Sequence, residues 1–319
     1  ESFYIVCSLV QRAQSDAAVI DEFVSKLTAG STHQMLRLKI LSSVFSILEA
    51  HPKSQLTVLS ALVSQATKTG QFHNISSQLE RVDSLLEGWK ADKADARKLH
   101  LVISQAAKQA DKPLQAHEFL LKHLSTFQGG SKAELDQASG AAKDVVVDAI
   151  AQPTVFHFDK YLQLDAVRHL ENGGEKAVLG LLGVFAREDV AGLAAFEKAN
   201  PNLLKTLGLE QSACMEKMRL LSLCSLASKE EEVGYSQLAS KMDVPEAEVE
   251  RWVIKAISAK LIDAKMDQLR RVVIVKGSTD REFGQAQWGK LHGKLSAWET
   301  NVQQLLEVIR TARTSVEQQ

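Results

Sequence analysis

Through the first two hundred residues, apolar positions fall three and four apart, and the runs break at intervals of about twenty residues, the signature of successive helices. Phe3 to Ala13 carries the first run and Ala17 to Leu27 the second, with Asp16 placed to cap it and Gly30 to stop it. Thr32 to Ala50 is apolar on more than one side, which predicts a buried helix; His51-Pro52 ends it, since the residue before a proline is steered out of the α region. Ser54 to Thr69, Ile75 to Trp89, Lys93 to Ala110 and Leu114 to Phe127 follow, punctuated by Gly70, Lys112-Pro113 and Gly129-Gly130. Ala133 to Ala151 carries a weaker pattern, with small residues and Gly140 inside it. Such a series predicts stacked helical hairpins, each pair burying its apolar face against the next. No repeat of fixed period is present, so the expected form is an irregular helical-repeat solenoid.

The texture changes at Pro153. Val155 to Tyr161 is short and aromatic, Leu162 to Leu170 reads as a small helix, and Ala177 to Phe185 is strongly apolar. Glu188-Asp189 turns into a helix over Ala191 to Lys198, which Asn200-Pro201 ends. From Met215 to Lys276 the order is helix, short strand, helix, tight turn, helix and two-stranded ribbon, which is the plan of a winged helix. Lys217 to Leu226 is the first helix, and Val233 to Tyr235 the short extended piece. Ser236 is placed to cap a helix over Gln237 to Met242. Asp243-Val244-Pro245 makes the turn, and Val249, Trp252, Val253, Ala256, Ile257 and Leu261 then share one helical face. Ile262 to Asp267 and Arg271 to Val275 are the ribbon, turning at Gln268 to Arg270. Val272, Val273, Ile274 and Val275 are β-branched throughout, which suits either an exposed wing edge or the sheet's own core. No linker precedes this module, so solenoid and winged helix are expected to pack as one body.

After Gly277-Ser278, Thr279 and Glu282 form a capping-box pattern. The helix beyond carries Trp288, Leu291, Leu295, Trp298, Val302, Leu305, Ile309 and Ala312, in alternating steps of three and four. That is a heptad seam, and one helix cannot bury it against itself. The expected architecture is mainly α: solenoid over 1–152, a further helical part over 153–214, winged helix over 215–276, and a long C-terminal helix over 277–319.

Composition alters this little. Thirty-eight basic and 39 acidic residues leave a net charge of −1, which argues against a chain whose main task is neutralising phosphate. Three cysteines, Cys7, Cys214 and Cys224, stand at no metal or CxxC spacing and read as buried thiols in a reducing compartment. No apolar run reaches the roughly 18 residues of a membrane helix. The chain begins at Glu1 rather than at an initiator Met, so a preceding segment stays open.

Candidate chemistry is sparse. Gly284 to Lys290 fits the first seven positions of a phosphate-binding loop, but Leu291 stands where Mg²⁺ needs Ser or Thr, and no buried strand leads into it. His117 and His123 are six apart, about 240° round a helix, whereas a zinc helix sets its histidines four apart. Catalytic, cofactor and metal residues are therefore assigned to none. The third helix of a winged helix can enter a DNA groove, but here it opens with Glu246, Glu248 and Glu250. Arg270, Arg271 and Lys276 around the wing could offer a weak or indirect RNA contact, against the plainer reading of a solvated face.

A solenoid running into a winged helix and a long terminal helix resembles the PCI-domain family, found in subunits of the proteasome lid, the signalosome and translation initiation factor 3. FHFDKYLQLDAVRHLE (Phe156 to Glu171), GLAAFEKANP (Gly192 to Pro201), VERWVIKAISAKLIDAKMDQLRRVVIV (Val249 to Val275) and REFGQAQWGKLHGKLSAWETNV (Arg281 to Val302) resemble the initiation-factor branch. These cover the C-terminal half; the N-terminal helices match in character only. The resemblance implies a non-catalytic cytoplasmic scaffold whose partners are other PCI and MPN subunits of translation initiation factor 3, and through the complex the small ribosomal subunit. The wing edge (Val272 to Val275) would dock one neighbour, and Trp288, Leu291, Leu295, Trp298, Val302, Leu305 and Ile309 would enter a shared helical bundle. A signalosome or proteasome-lid subunit, or an RNA-binding winged-helix protein, is the alternative.

Overall fold

In this computed structural model the described residues are 5, 8–11, 17–30, 32–49, 51–279, 281 and 285–317. The expected helix over Phe3 to Ala13, the Asp16 cap, Cys7, and the residues Gly284 and Glu282 fall wholly or largely outside them. The chain divides into two compact units, residues 1–155, 161–180 and 203–210 in the first, and 156–160, 181–202 and 211–319 in the second.

The first unit is built from helices α1 (Ala17–Ala29), α2 (Gln34–Ile47), α3 (Pro52–Lys68), α4 (Ser76–Glu80), α5 (Val82–Gly88), α6 (Lys93–Gln109), α7 (Pro113–Ser125) and α8 (Lys132–Ala151), with a 3₁₀ turn at Phe72–Ile75. Successive helices pair: α2 on α3, α3 on α6, α6 on α7 and α7 on α8. Their starts follow from the sequence. Pro52 and Pro113 occupy the first helical positions, where a missing N–H has no partner to lose. Ser131 and Glu134 form a capping box that opens α8. Gly70 and Gly129 take φ of +66° and +69° just beyond α3 and α7, a left-handed conformation that favours glycine. The run over Ile75 to Trp89 is not one helix. The α geometry breaks at Arg81, so that Leu79 and Val82 on either side are both buried.

Arg97 links three of these helices. Its guanidinium lies 3.9 Å from the Phe127 ring centroid, donates to the Thr126 carbonyl at 3.2 Å and meets the Glu134 carboxylate at 2.8 Å. That hydrogen bond, with those from Ser131, holds the Glu134 pKa down to about 2. The predicted histidine pair serves packing: His117 Nε2 is 2.6 Å from the Tyr161 hydroxyl, and His123 Nδ1 is 2.9 Å from the Arg97 carbonyl.

Then come α9 (Asp159–Leu162), α10 (Asp165–His169), α11 (Lys176–Arg187), α12 (Val190–Ala199), α13 (Leu203–Thr206), α14 (Gln211–Ala227), β1 (Glu232–Gly234), α15 (Tyr235–Met242), α16 (Val249–Ser258), β2 (Ile262–Asp267), β3 (Val272–Ser278) and α17 (Gln285–Glu317). In the second unit α14 is the central element, packing on α12, α15, α16 and the sheet, with Met218, Leu221, Leu223 and Cys224 buried along it. Ser236 does not cap α15; the helix begins at Tyr235, and the Gln237 side-chain oxygen accepts from the Gly234 N–H at 3.2 Å. Asp243 ends α15 in the left-handed region, and Pro245 precedes a 3₁₀ turn, Glu246–Glu248, rather than opening α16 itself.

The three strands run in the order β1-β3-β2, all antiparallel. This corrects the wing-edge reading of Val272, Val273, Ile274 and Val275. They lie on the central strand, where Val272, Val273 and Ile274 face Gly234, Val233 and Glu232 on one side. On the other side, Val272 to Val275 face Asp267, Met266, Lys265 and Ala264. A strand flanked on both sides has no free ladder to offer a newcomer.

Candidate protein-interaction surfaces

The C-terminal helix presents the largest uncovered apolar stripe. Every residue from Leu291 to Arg310 is exposed. Trp288 is 61% exposed and Trp298 70%; Leu291, Leu295, Val302, Leu305 and Ile309 are exposed beside them. Ala312 has no described side chain. Folded proteins rarely leave such a contiguous stripe in water unless something covers it. The spacing puts these residues on one helical face, and Leu306 and Val308, also exposed, widen it towards the C-terminal end. Those two were not assigned in advance. Their positions directly flank the seam, and a count that admitted flanking apolar positions would have included them. The residues Gln285 to Lys290 lie within α17, so they form no phosphate-binding loop.

On the winged helix the open strand is β2. Asp263 and Lys265 are exposed along it, charges of the kind that keep an edge from pairing indiscriminately. Leu269 stands at the turn between β2 and β3, 98% exposed. Of the three basic residues suggested for RNA, Arg270 meets Glu232 at 3.3 Å and Arg271 meets Glu246 at 3.2 Å, while Lys276 is exposed on β3. Two of those three guanidinium or ammonium charges thus already face carboxylates.

Behind this surface lies a buried lysine. Lys217 on α14 sits 5.2 Å and 5.8 Å from the ring centroids of Phe158 and Phe156, and burial lowers its pKa to about 7. Burial also raises the Cys214 and Cys224 thiols, to about 11 and about 12, so neither is poised as a nucleophile. Among the described residues, no three His, Cys, Asp or Glu side chains gather as a metal site, and no helix is long and apolar enough to cross a membrane.

Comparison with known proteins places these surfaces. Residues 197–277 match the model of the PCI domain, which takes in the winged helix and the helices leading into it. The chain is thus of the PCI-domain class. Residues 281–309, the stretch that carries the exposed stripe, match the model described as "eIF3 subunit M, C-terminal helix". Eukaryotic translation initiation factor 3 subunit M of Dictyostelium discoideum is 33% identical over 320 residues, covering 98% of this chain and 79% of that protein. The subunit M proteins of Phaeosphaeria nodorum and Aspergillus oryzae are 30% and 31% identical, each match covering 87% of this chain. This chain spans 63% and 61% of those two fungal proteins, a little under two thirds of their length. The chain belongs to the family of subunit M of eukaryotic translation initiation factor 3.

Proposed function

We infer that this chain is a non-catalytic scaffold subunit of translation initiation factor 3, working in the cytoplasm, and that its C-terminal helix docks into a bundle shared with other PCI and MPN subunits. Small ribosomal subunit binding then belongs to the assembled complex. The observation that supports this reading is the uncovered stripe of α17. Seven exposed side chains, two of them tryptophans, offer an area of the order of the roughly 800 Å² that each partner contributes to a standard interface. Contact with a neighbour through the winged helix would use the outer side of β2 rather than β3, by addition of a strand.

The test is the pair Leu295→Asp with Val302→Asp. Both positions are exposed, so the substitutions leave the folded chain intact. Expressed in cells and recovered by affinity tag, the double variant should lose the other initiation-factor subunits while keeping the melting behaviour of the parent. Unchanged co-purification would reject the bundle role, and recovery of signalosome or proteasome-lid subunits instead would reassign the complex.

A further inference from the structure

Within the second unit, a polar cavity of about 550 Å³ lies between the end of α11, the start of α12 and the C-terminal half of α14. Arg281 reaches into it from beyond β3. It is only 7% exposed, and two of its three nitrogens are occupied: Nε donates to the Leu221 carbonyl at 2.7 Å, and one terminal nitrogen donates to the Glu188 carbonyl. The other terminal nitrogen is buried and has no hydrogen-bond partner. Ser222, fully buried on the same wall, has a hydroxyl in the same condition. An unsatisfied buried guanidinium N–H is costly, and two unsatisfied polar groups lining one cavity point to something that fills it.

The charge around the cavity says what. Arg187, Lys229, Lys241 and Arg281 contribute four positive charges, and Glu188 and Asp189 two negative ones, leaving an excess of two. A phosphomonoester carries about −1.5 to −2 at neutral pH. Burial lowers Arg281 to about 10, so it stays charged there. We propose that this cavity is a binding site for the phosphate group of a phosphorylated serine or threonine on a partner protein, held by the free nitrogen of Arg281, the Ser222 hydroxyl and the Lys229 ammonium. The two carboxylates at its rim disfavour a polynucleotide, whose further phosphates would meet like charge, and favour one isolated phosphate.

The test uses the 319-residue chain and titration calorimetry with N-acetyl-phosphoserine amide, N-acetyl-serine amide, inorganic phosphate and a ten-nucleotide RNA without a terminal phosphate. The phosphoserine compound should bind one per chain, at least about tenfold more tightly than the serine compound and than the RNA. Ser222→Ala and Lys229→Gln should each weaken it about threefold or more without changing the melting temperature. Arg281→Lys should weaken it further; should that variant unfold, the other two still decide. Absence of saturable binding, tighter binding of the RNA, binding of inorganic phosphate alone, or affinity untouched by Ser222→Ala and Lys229→Gln (an adventitious ion only) would each overturn the assignment.

Discussion

Three side chains show how a residue's surroundings set its contribution. Arg97 is mostly covered, stacked on Phe127 and bonded to Thr126 and Glu134, so Arg97→Ala removes packing and leaves acceptors unmatched. A loss of about 2–3 kcal/mol is expected in chemical denaturation of the chain. Burial holds His100 and His123 below the ordinary histidine value. Protonation therefore favours the unfolded chain: the contribution of these residues is complete above about pH 6.5 and declines as pH falls below it. His100→Gln with His123→Gln should flatten the drop in melting temperature between pH 7 and pH 5.5. Lys217 titrates in another window. Its folded value of about 7 lies below the ordinary 10.5, so between those values the unfolded chain holds a proton that the folded chain has released. Stability should rise with pH from 7 to about 9, and Lys217→Met should both remove that rise and raise the melting temperature at pH 7. None of these roles is legible from the sequence. A lysine in an otherwise apolar helix, or a lone arginine, carries no local mark of its burial; only the meeting of distant segments creates it.

At the scale of elements, much was legible, because a helix's apolar period is written into its own residues. Lys93 to Ala110 became Lys93–Gln109, and Leu114 to Phe127 became Pro113–Ser125. The run with Gly140 became one continuous helix, its small residues Ala138 and Ala142 buried. Strand order was the exception. Val272 to Val275 declare a strand by their β-branching, but their central position depends on β1, contributed from forty residues earlier. Local pattern cannot encode that pairing. The heptad seam of α17 was legible down to its residues, since a stripe that fails to find a partner looks the same in sequence as in structure. Because Leu291 to Arg310 is exposed throughout, deleting residues 291–317 should shift the melting temperature of the isolated chain by no more than about 2 °C. A larger fall, read by calorimetry, would mean that the helix supports its own chain.

For the molecule as a whole, the four segments expected from the sequence appear as two compact units, and what joins them to a function is surface left uncovered. The kinship with subunit M, the match of residues 281–309 to that subunit's terminal helix, and the exposed tryptophans of the same stretch agree on where a complex would take hold. Hydrogen–deuterium exchange of residues 285–317, in the free chain and in the purified initiation-factor complex, tests this most directly. The account predicts rapid exchange along that helix in the free chain and slowing by about a hundredfold or more in the complex, as a buried bundle helix requires. Equal exchange in the two states would contradict it.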